Sequence, residues 1–128
     1  MQGSASVEFA IIFPLFVLLL IGMLEFGLAI WRQAILTNAS REGARAGIVS
    51  RIPRPTDADI TTVVQTYLTG SGLDPTATTI SITGTDGSFG DPLTVEVQYP
   101  NRFFVLPNLL PGLDASFTLQ AKTVMLLE

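Results

Sequence analysis

Two glutamates, Glu8 and Glu25, stand at the edges of the most apolar part of the chain, where either could form a charge pair. Residues 9–24 contain no charged side chain, and the apolar run resumes after Glu25 as far as Trp31. A carboxylate at a hydrocarbon boundary requires either water or a partner of opposite charge. The pattern therefore indicates electrostatic pairing at this end of the chain.

Each glutamate has two interpretations. From position alone, Glu8 fits the role of a helix N-terminal residue better than the role of a partner for a cation of another chain. A carboxylate at a helix N-terminus gains about 0.3–1 kcal/mol from the helix dipole. Glu25 fits two roles equally well. It could reach water beside Trp31 and pair with Arg32, or it could contact a helix of another chain.

A cluster of mixed charge follows in the sequence REGAR, where Arg41, Glu42 and Arg45 surround Gly43. Glu42 and Arg45 are three residues apart and can pair on a helix, so the charges fit either a solvated face or a contact with another chain. A glycine inside a helix costs about 1 kcal/mol, so we expect Gly43 to be a packing residue. It belongs to a strip of small residues that lets another backbone approach: Ala39, Gly43 and Gly47.

Residue types that support catalysis or cofactor binding are scarce. The chain contains no histidine and no cysteine, which removes the commonest general base, the commonest metal ligand and every thiolate site. A Ser–Lys pair would have to use Lys122, which lies in a strand pattern, and GTDGSFGDP lacks the Lys-Ser/Thr end of a phosphate loop. We expect no enzymatic activity, no catalytic residue, no metal and no cofactor.

Charge and hydropathy divide the chain into an apolar N-terminal part and an acidic remainder. The formal net charge is +2 over residues 1–54 and −6 over residues 55–128. An acidic distal part argues against nucleic acid as a partner, because nucleic acid requires a basic patch. The length of 128 residues allows one small domain and an anchor.

The apolar run predicts one transmembrane helix. Residues 9–31, at about 1.5 Å each, can cross a hydrocarbon core of about 30 Å, and Trp31 and Arg32 provide an interfacial aromatic residue and a cation that reaches the headgroups. Helical spacing of apolar residues continues beyond the span, so we expect one long helix with an amphipathic outer half that ends at Pro53.

The remainder predicts a short helix and a small antiparallel sheet. Thr56 begins a helical pattern that closes near Gly70, and alternating apolar residues near positions 80, 95 and 120 predict three or four strands. The sheet needs a cover, so we expect an α+β fold in which the outer half of the long helix packs on the sheet. The apolar connection at residues 103–113 fits burial against this sheet better than an exposed docking surface.

Two stretches resemble known proteins. GSASVEFA resembles the class III prepilin-peptidase site of the type IV pilin superfamily. Residues 3–50, with the ordered set VEFA, a proline, EFG and NASREGAR, closely resemble the TadE family of pseudopilins from tight-adherence (Flp) pilus systems. The C-terminal FTLQAKTVMLLE is similar to the closing strand of that family.

The resemblance implies a structural subunit of a pilus involved in adhesion and secretion. A prepilin peptidase would cut between Gly3 and Ser4, which leaves residues 1–3 as leader, 4–32 as transmembrane helix and 33–128 as outer domain. Glu8 would then be the fifth mature residue and would neutralise the N-terminal amine of a neighbouring subunit. Assembly contacts are also expected at Glu25, Arg41, Glu42, Gly43 and Arg45.

The expected partners are the membrane, other pilin subunits, the prepilin peptidase and the inner-membrane pilus assembly machinery. The resemblance places the chain in the bacterial inner membrane with its C-terminal domain outside the cytoplasm, and in the pilus after assembly. Arg32, Arg41 and Arg45 alone predict a cytoplasmic outer segment by the positive-inside rule. A start codon further upstream or other topology signals would reconcile the two.

A second class of function stays open at this point. A single-span, membrane-anchored binding module would capture a ligand with its sheet domain without polymerising, and it would need no processing at Gly3.

Overall fold

The computed structural model describes residues 2–128 and has the α+β fold that the sequence predicts. A very long helix is followed by a shorter one and by three antiparallel strands, with a single-turn helix between the last two strands. The elements are α1 (Gln2–Ile48), α2 (Asp57–Gly70), a 3-10 turn (Pro75–Ala77), β1 (Thr79–Thr83), β2 (Pro92–Arg102), α3 (Leu106–Leu109) and β3 (Ser116–Leu126).

Helix α1 runs without interruption through both predicted halves, and Pro14 lies inside it. Its 47 residues correspond to a length of about 70 Å. The helix ends at Ile48, earlier than the predicted end at Pro53. The carbonyl oxygen of Ile48 accepts a hydrogen bond of 3.4 Å from the backbone N–H of Glu128, so the end of α1 is tied to the C-terminus instead of continuing.

Helix α2 begins with the cap that the sequence predicts at Thr56. The Thr56 hydroxyl accepts a hydrogen bond from the backbone N–H of Asp59 (3.3 Å), and the Asp59 carboxylate accepts one from the backbone N–H of Thr56 (2.9 Å). Two otherwise unpaired donors at the helix start are satisfied by this reciprocal capping box. The bonds from the Thr56 backbone and hydroxyl, with a smaller contribution from Arg51, lower the pKa of Asp59.

The sheet has the order β1-β2-β3 with both pairs antiparallel, so the prediction of three or four strands is confirmed at three. Ile82 lies opposite Val95, and Val97 lies opposite Ala121. Residues 84–91 connect β1 to β2 as a hairpin with a long loop, and residues 103–115 connect β2 to β3. Alternating side chains of each strand therefore share one apolar face.

The core lies between that face and two helices. The second half of α1 and the inner face of α2 cover the sheet, which confirms that the long helix provides the cover. Polar contacts fix α1 on β3: the Ser40 and Thr123 hydroxyls lie 2.7 Å apart, and the Gln33 side chain donates to the Gln120 carbonyl (2.8 Å). The largest fully buried apolar residues are Leu36, Ile60, Leu68, Leu93, Val64, Val95 and Val97.

Candidate functional site

The first half of α1 exposes an almost continuous apolar surface. Among residues 2–128, α1 is the single helix long and apolar enough to cross a membrane, and none of its most apolar segment is buried inside the chain. We call residues 7–31 the apolar half of α1. Its exposed large side chains are Val7, Phe9, Ile11, Ile12, Phe13, Leu15, Phe16, Leu19, Leu20, Met23, Leu24, Phe26, Leu28, Ile30 and Trp31.

Glu8 lies at the start of this surface and is exposed. Within residues 2–128, no hydrogen bond or ion pair engages its carboxylate. Gly3 and Ser4 lie one turn earlier on the same helix and are also exposed. A side chain at Gly3 would meet no other atom within 4 Å. Met1, the first residue of the expected leader, lies outside the described residues.

Glu25 has the opposite environment, because it is only 9% exposed. One carboxylate oxygen accepts hydrogen bonds from the backbone N–H groups of Phe104 (2.8 Å) and Val105 (2.7 Å), and the other accepts one from Leu106 (3.2 Å). These donors belong to the start of α3, a position where helix N–H groups lack partners within the helix. Glu25 is therefore a cap supplied by a different helix, about 80 residues away in the sequence.

This role of Glu25 is absent from the sequence predictions. Val105 occupies the N-cap position of α3 and Pro107 follows within the first turn, but valine has no side-chain acceptor for a cap. An apolar N-cap before a proline is thus the local signal that a remote acceptor is needed. The Glu25 carboxylate has three hydrogen-bond donors within the chain. Its expected contact with another subunit stays a prediction.

Arg32 does not pair with Glu25, so that interpretation is wrong. Its guanidinium donates a hydrogen bond of 2.6 Å to the Asn101 side-chain oxygen, and it lies 6.0 Å from the centre of the Tyr99 ring. Asn101 is buried at the end of β2. Arg32 therefore joins the boundary of the apolar half of α1 to the sheet.

The REGAR cluster separates into two faces. Arg41, Glu42 and Arg45 are exposed, and within residues 2–128 no ion pair joins Glu42 to Arg45. Gly43 points inward: a Cβ atom there would lie 2.5 Å from a methyl group of Val64 and 3.2 Å from one of Val95. Gly43 is thus a packing residue between α1, α2 and β2, and the three charges remain available to water or to a partner.

Residues 103–113, which we call the apolar turn, do not lie flat on the sheet as the sequence predicts. The Phe103 ring bridges the two regions, with centroids 5.3 Å from Phe26 and 5.1 Å from Phe117. Beyond Phe103 the chain turns along α1, because the hydrogen bonds that the Glu25 carboxylate accepts hold the start of α3 against that helix. A groove of about 550 Å³ separates the two segments and is lined by Leu15, Leu18, Leu19, Gly22, Met23, Phe26, Leu106, Leu110 and Leu113.

Together these features define an α+β protein with one candidate membrane span, which continues as the central helix of a small folded domain. Among residues 2–128, no cluster of three or more His, Cys, Asp or Glu side chains is placed so that it could hold a metal ion.

Residues 3–45 match the family model described as "TadE-like protein". The matched region covers the apolar half of α1 and most of its buried half, which is about a third of the chain, and supports the TadE-like resemblance. No curated protein and no solved structure matches the chain significantly.

Proposed function

We propose that this chain is a minor pilin, or pseudopilin, of a tight-adherence (Flp-type) pilus, and that it acts as a structural subunit without enzymatic activity. The match of residues 3–45 to TadE-like proteins supports association with the pilus system and the membrane. In this proposal the chain assembles in the manner of the type IV pilin superfamily. The subunit inserts in the bacterial inner membrane with its sheet domain outside the cytoplasm, and it joins or primes the pilus.

The observation that carries the proposal is the contrast between the two carboxylates in the apolar half of α1, Glu8 and Glu25. Glu25 is occupied by three donors within the chain, whereas Glu8 is exposed and has no partner among residues 2–128. An unpaired carboxylate at the edge of an apolar helix is unfavourable in a lipid environment. A cation from a second molecule would remove this cost, and a pilus supplies such a molecule.

Processing would supply the cation. Cleavage between Gly3 and Ser4 by a prepilin peptidase creates a new α-amine, and α-amines with a pKa of about 7.7–8.0 are mostly cationic at neutral pH. The exposure of Gly3, with open space around its Cα, leaves this segment accessible. Glu8 of one subunit would then pair with the Ser4 amine of its neighbour, at a boundary where paired charges are favoured over single ones.

The exposed charges of the outer half would serve lateral contacts. Arg41, Glu42 and Arg45 lie on the side of α1 that faces away from the sheet, so they can pair with charges of an adjacent subunit. Gly43 contributes indirectly, because it allows α1 to pack closely on α2 and β2 and so fixes the orientation of those charges.

Two measurements on protein co-expressed with the pilus system test the proposal. We expect the intact mass of membrane-extracted protein to correspond to a chain that begins at Ser4. We also expect Glu8→Gln to reduce co-purification with the pilus without reducing membrane insertion. Asp86→Asn is the matched control, since Asp86 is an exposed carboxylate in the β1–β2 loop. An uncleaved chain that never co-purifies with pili would instead favour the membrane-anchored binding module.

A further inference from the structure

The apolar turn has the composition of a membrane-contacting segment. Its eleven residues carry no charge and include two phenylalanines, one valine and four leucines, while Arg102 and Asp114 flank it. Several of these side chains point away from the protein: Phe104 is 68% exposed and Leu109 is 49% exposed. Such a contiguous exposed apolar patch marks an interaction site in a folded protein.

Almost all backbone N–H groups of the apolar turn have acceptors within the chain. It has nine N–H groups, because two of its eleven residues are prolines, and eight of them donate to acceptors within the chain. Glu25 accepts three of these bonds, and the side chain of Asn108 donates to the Phe104 carbonyl (3.1 Å). Loops exposed to water do not need this internal satisfaction, but backbone in lipid does.

The position of the turn along α1 points to the same environment. Three of its four leucines, Leu106, Leu110 and Leu113, lie beside residues 15–26 of the candidate membrane span. Residues 15–26 precede Trp31 by 5–16 residues, which places the leucines that line the groove about 7–24 Å below Trp31 along the helix axis. This range lies inside a hydrocarbon core of about 30 Å.

We propose that the apolar turn inserts into the leaflet of the bilayer nearest the sheet domain, and that lipid acyl chains fill the groove between the turn and α1. The inference rests on the membrane insertion in the proposed function but not on pilus assembly. Lipid is favoured as the occupant because the candidate membrane span forms one wall of the groove. If the span lies in the bilayer, the groove lies in the same hydrocarbon.

The unpaired carbonyl groups set the depth of insertion. Within residues 2–128, no backbone N–H group donates to the carbonyl oxygens of Pro107, Asn108 and Leu109, so these oxygens require water or headgroup donors. In the proposal these carbonyl groups lie toward water and headgroups, and the three leucines that line the groove lie beside the span. In this arrangement the turn also shields Glu25 from lipid, which allows a carboxylate within a membrane span.

Because the chain contains no cysteine, single-cysteine variants of the whole 128-residue chain allow a direct test. Leu109→Cys would be labelled with an environment-sensitive fluorophore and reconstituted in vesicles of phosphatidylethanolamine and phosphatidylglycerol. Phe89→Cys, in the exposed β1–β2 loop, is the aqueous control, and Phe16→Cys, in the apolar half of α1, is the insertion control. Emission would be measured with iodide in the water and with doxyl-labelled lipid in the bilayer.

We expect the Leu109 label to behave like the Phe16 label, with strong quenching by doxyl lipid and loss of quenching by iodide. Quenching of the Leu109 label by iodide to the same extent as the Phe89 label would overturn the inference. Protection from both quenchers would also overturn it, since that result indicates a second protein copy on the turn. If the Phe16 label is not quenched by doxyl lipid, membrane insertion itself is wrong and both proposals fail.

Discussion

The two halves of α1 differ both in composition and in environment: 20 of the 25 residues at positions 7–31 are apolar, against five of the 13 at positions 35–47. Residues 7–31 expose nearly all their large side chains, whereas the inner face of residues 35–47 is buried under α2 and the sheet. The chain thus covers the inner face of the second half of α1 and leaves most of the first half exposed. A helical segment that is apolar around its circumference and is not buried within its own chain requires contact with lipid or other subunits. The functional contacts are therefore expected in residues 7–31.

The carboxylates repeat this contrast on a smaller scale. Glu25 lies where the chain folds back on the helix, and the backbone of the apolar turn satisfies it. Glu8 lies beyond the reach of the folded domain and is exposed. Among residues 2–128 the Glu8 carboxylate has no partner, so it is left for another molecule.

The largest expected difference between the halves is the response to truncation of a leucine. Leu36 is fully buried and Leu24 is 70% exposed. We expect Leu36→Ala to lower the free energy of unfolding of the sheet domain by about 2–5 kcal/mol, because it leaves a cavity. Leu24→Ala, the matched control, should change it little. Thermal unfolding in detergent measures both, and equal destabilisation would contradict the contrast.

Glycines give a second matched pair. A side chain at Gly43 would collide with Val64 and Val95, while one at Gly27 would meet nothing within 4 Å. We expect Gly43→Leu to destabilise the domain by about 1–3 kcal/mol through overpacking. Gly27→Leu should leave the domain unchanged. If Gly43→Leu is as stable as the parent chain, Gly43 does not pack as described.

Removal of the Glu25 carboxylate should act locally. Glu25→Ala leaves three backbone N–H groups without their acceptor, and each unsatisfied donor costs about 1–3 kcal/mol when it stays buried. We therefore expect faster amide hydrogen exchange at Phe104, Val105 and Leu106. Exchange in α2 should be unaffected.

Glu25→Gln keeps one carbonyl acceptor, so its effect on that exchange should be intermediate. Unchanged protection of the three amides in Glu25→Ala would show that Glu25 does not cap α3.

The smallest expected effect is the response to acid at the start of α2. Because the Thr56 bonds lower the pKa of Asp59 in the folded chain, its contribution to stability is present above the ordinary aspartate pKa and is lost as the pH falls through the lowered value. We expect the stability of the sheet domain to fall less between pH 5 and pH 2 in Asp59→Asn than in the parent chain. Identical pH profiles would rule out this contribution.

Local patterns predicted much of the fold. Residue type and spacing were sufficient for the Thr56 cap, the alternating strands, the long helix and the packing role of Gly43, because these features depend on neighbours in the sequence or on one face of an element. The path of the apolar turn was not predictable in this way. It depends on the hydrogen bonds donated to Glu25 and on the Phe26–Phe103 contact, which join residues about 80 positions apart and leave no periodic signal. The Arg32–Asn101 bond was missed for the same reason.

The central claim, that Glu8 pairs with the Ser4 amine of another subunit, can be tested by zero-length crosslinking of assembled material. Subunits labelled with ¹⁴N and ¹⁵N would be mixed before assembly and treated with a carbodiimide, which joins a carboxylate to an amine only when the two are in contact. We predict a crosslinked peptide between the Ser4 amine and Glu8 in which one half is light and the other heavy. Two results would contradict the claim, provided that peptides starting at a free Ser4 amine are present. One is the absence of this crosslink, and the other is a crosslink found only between two light or two heavy halves.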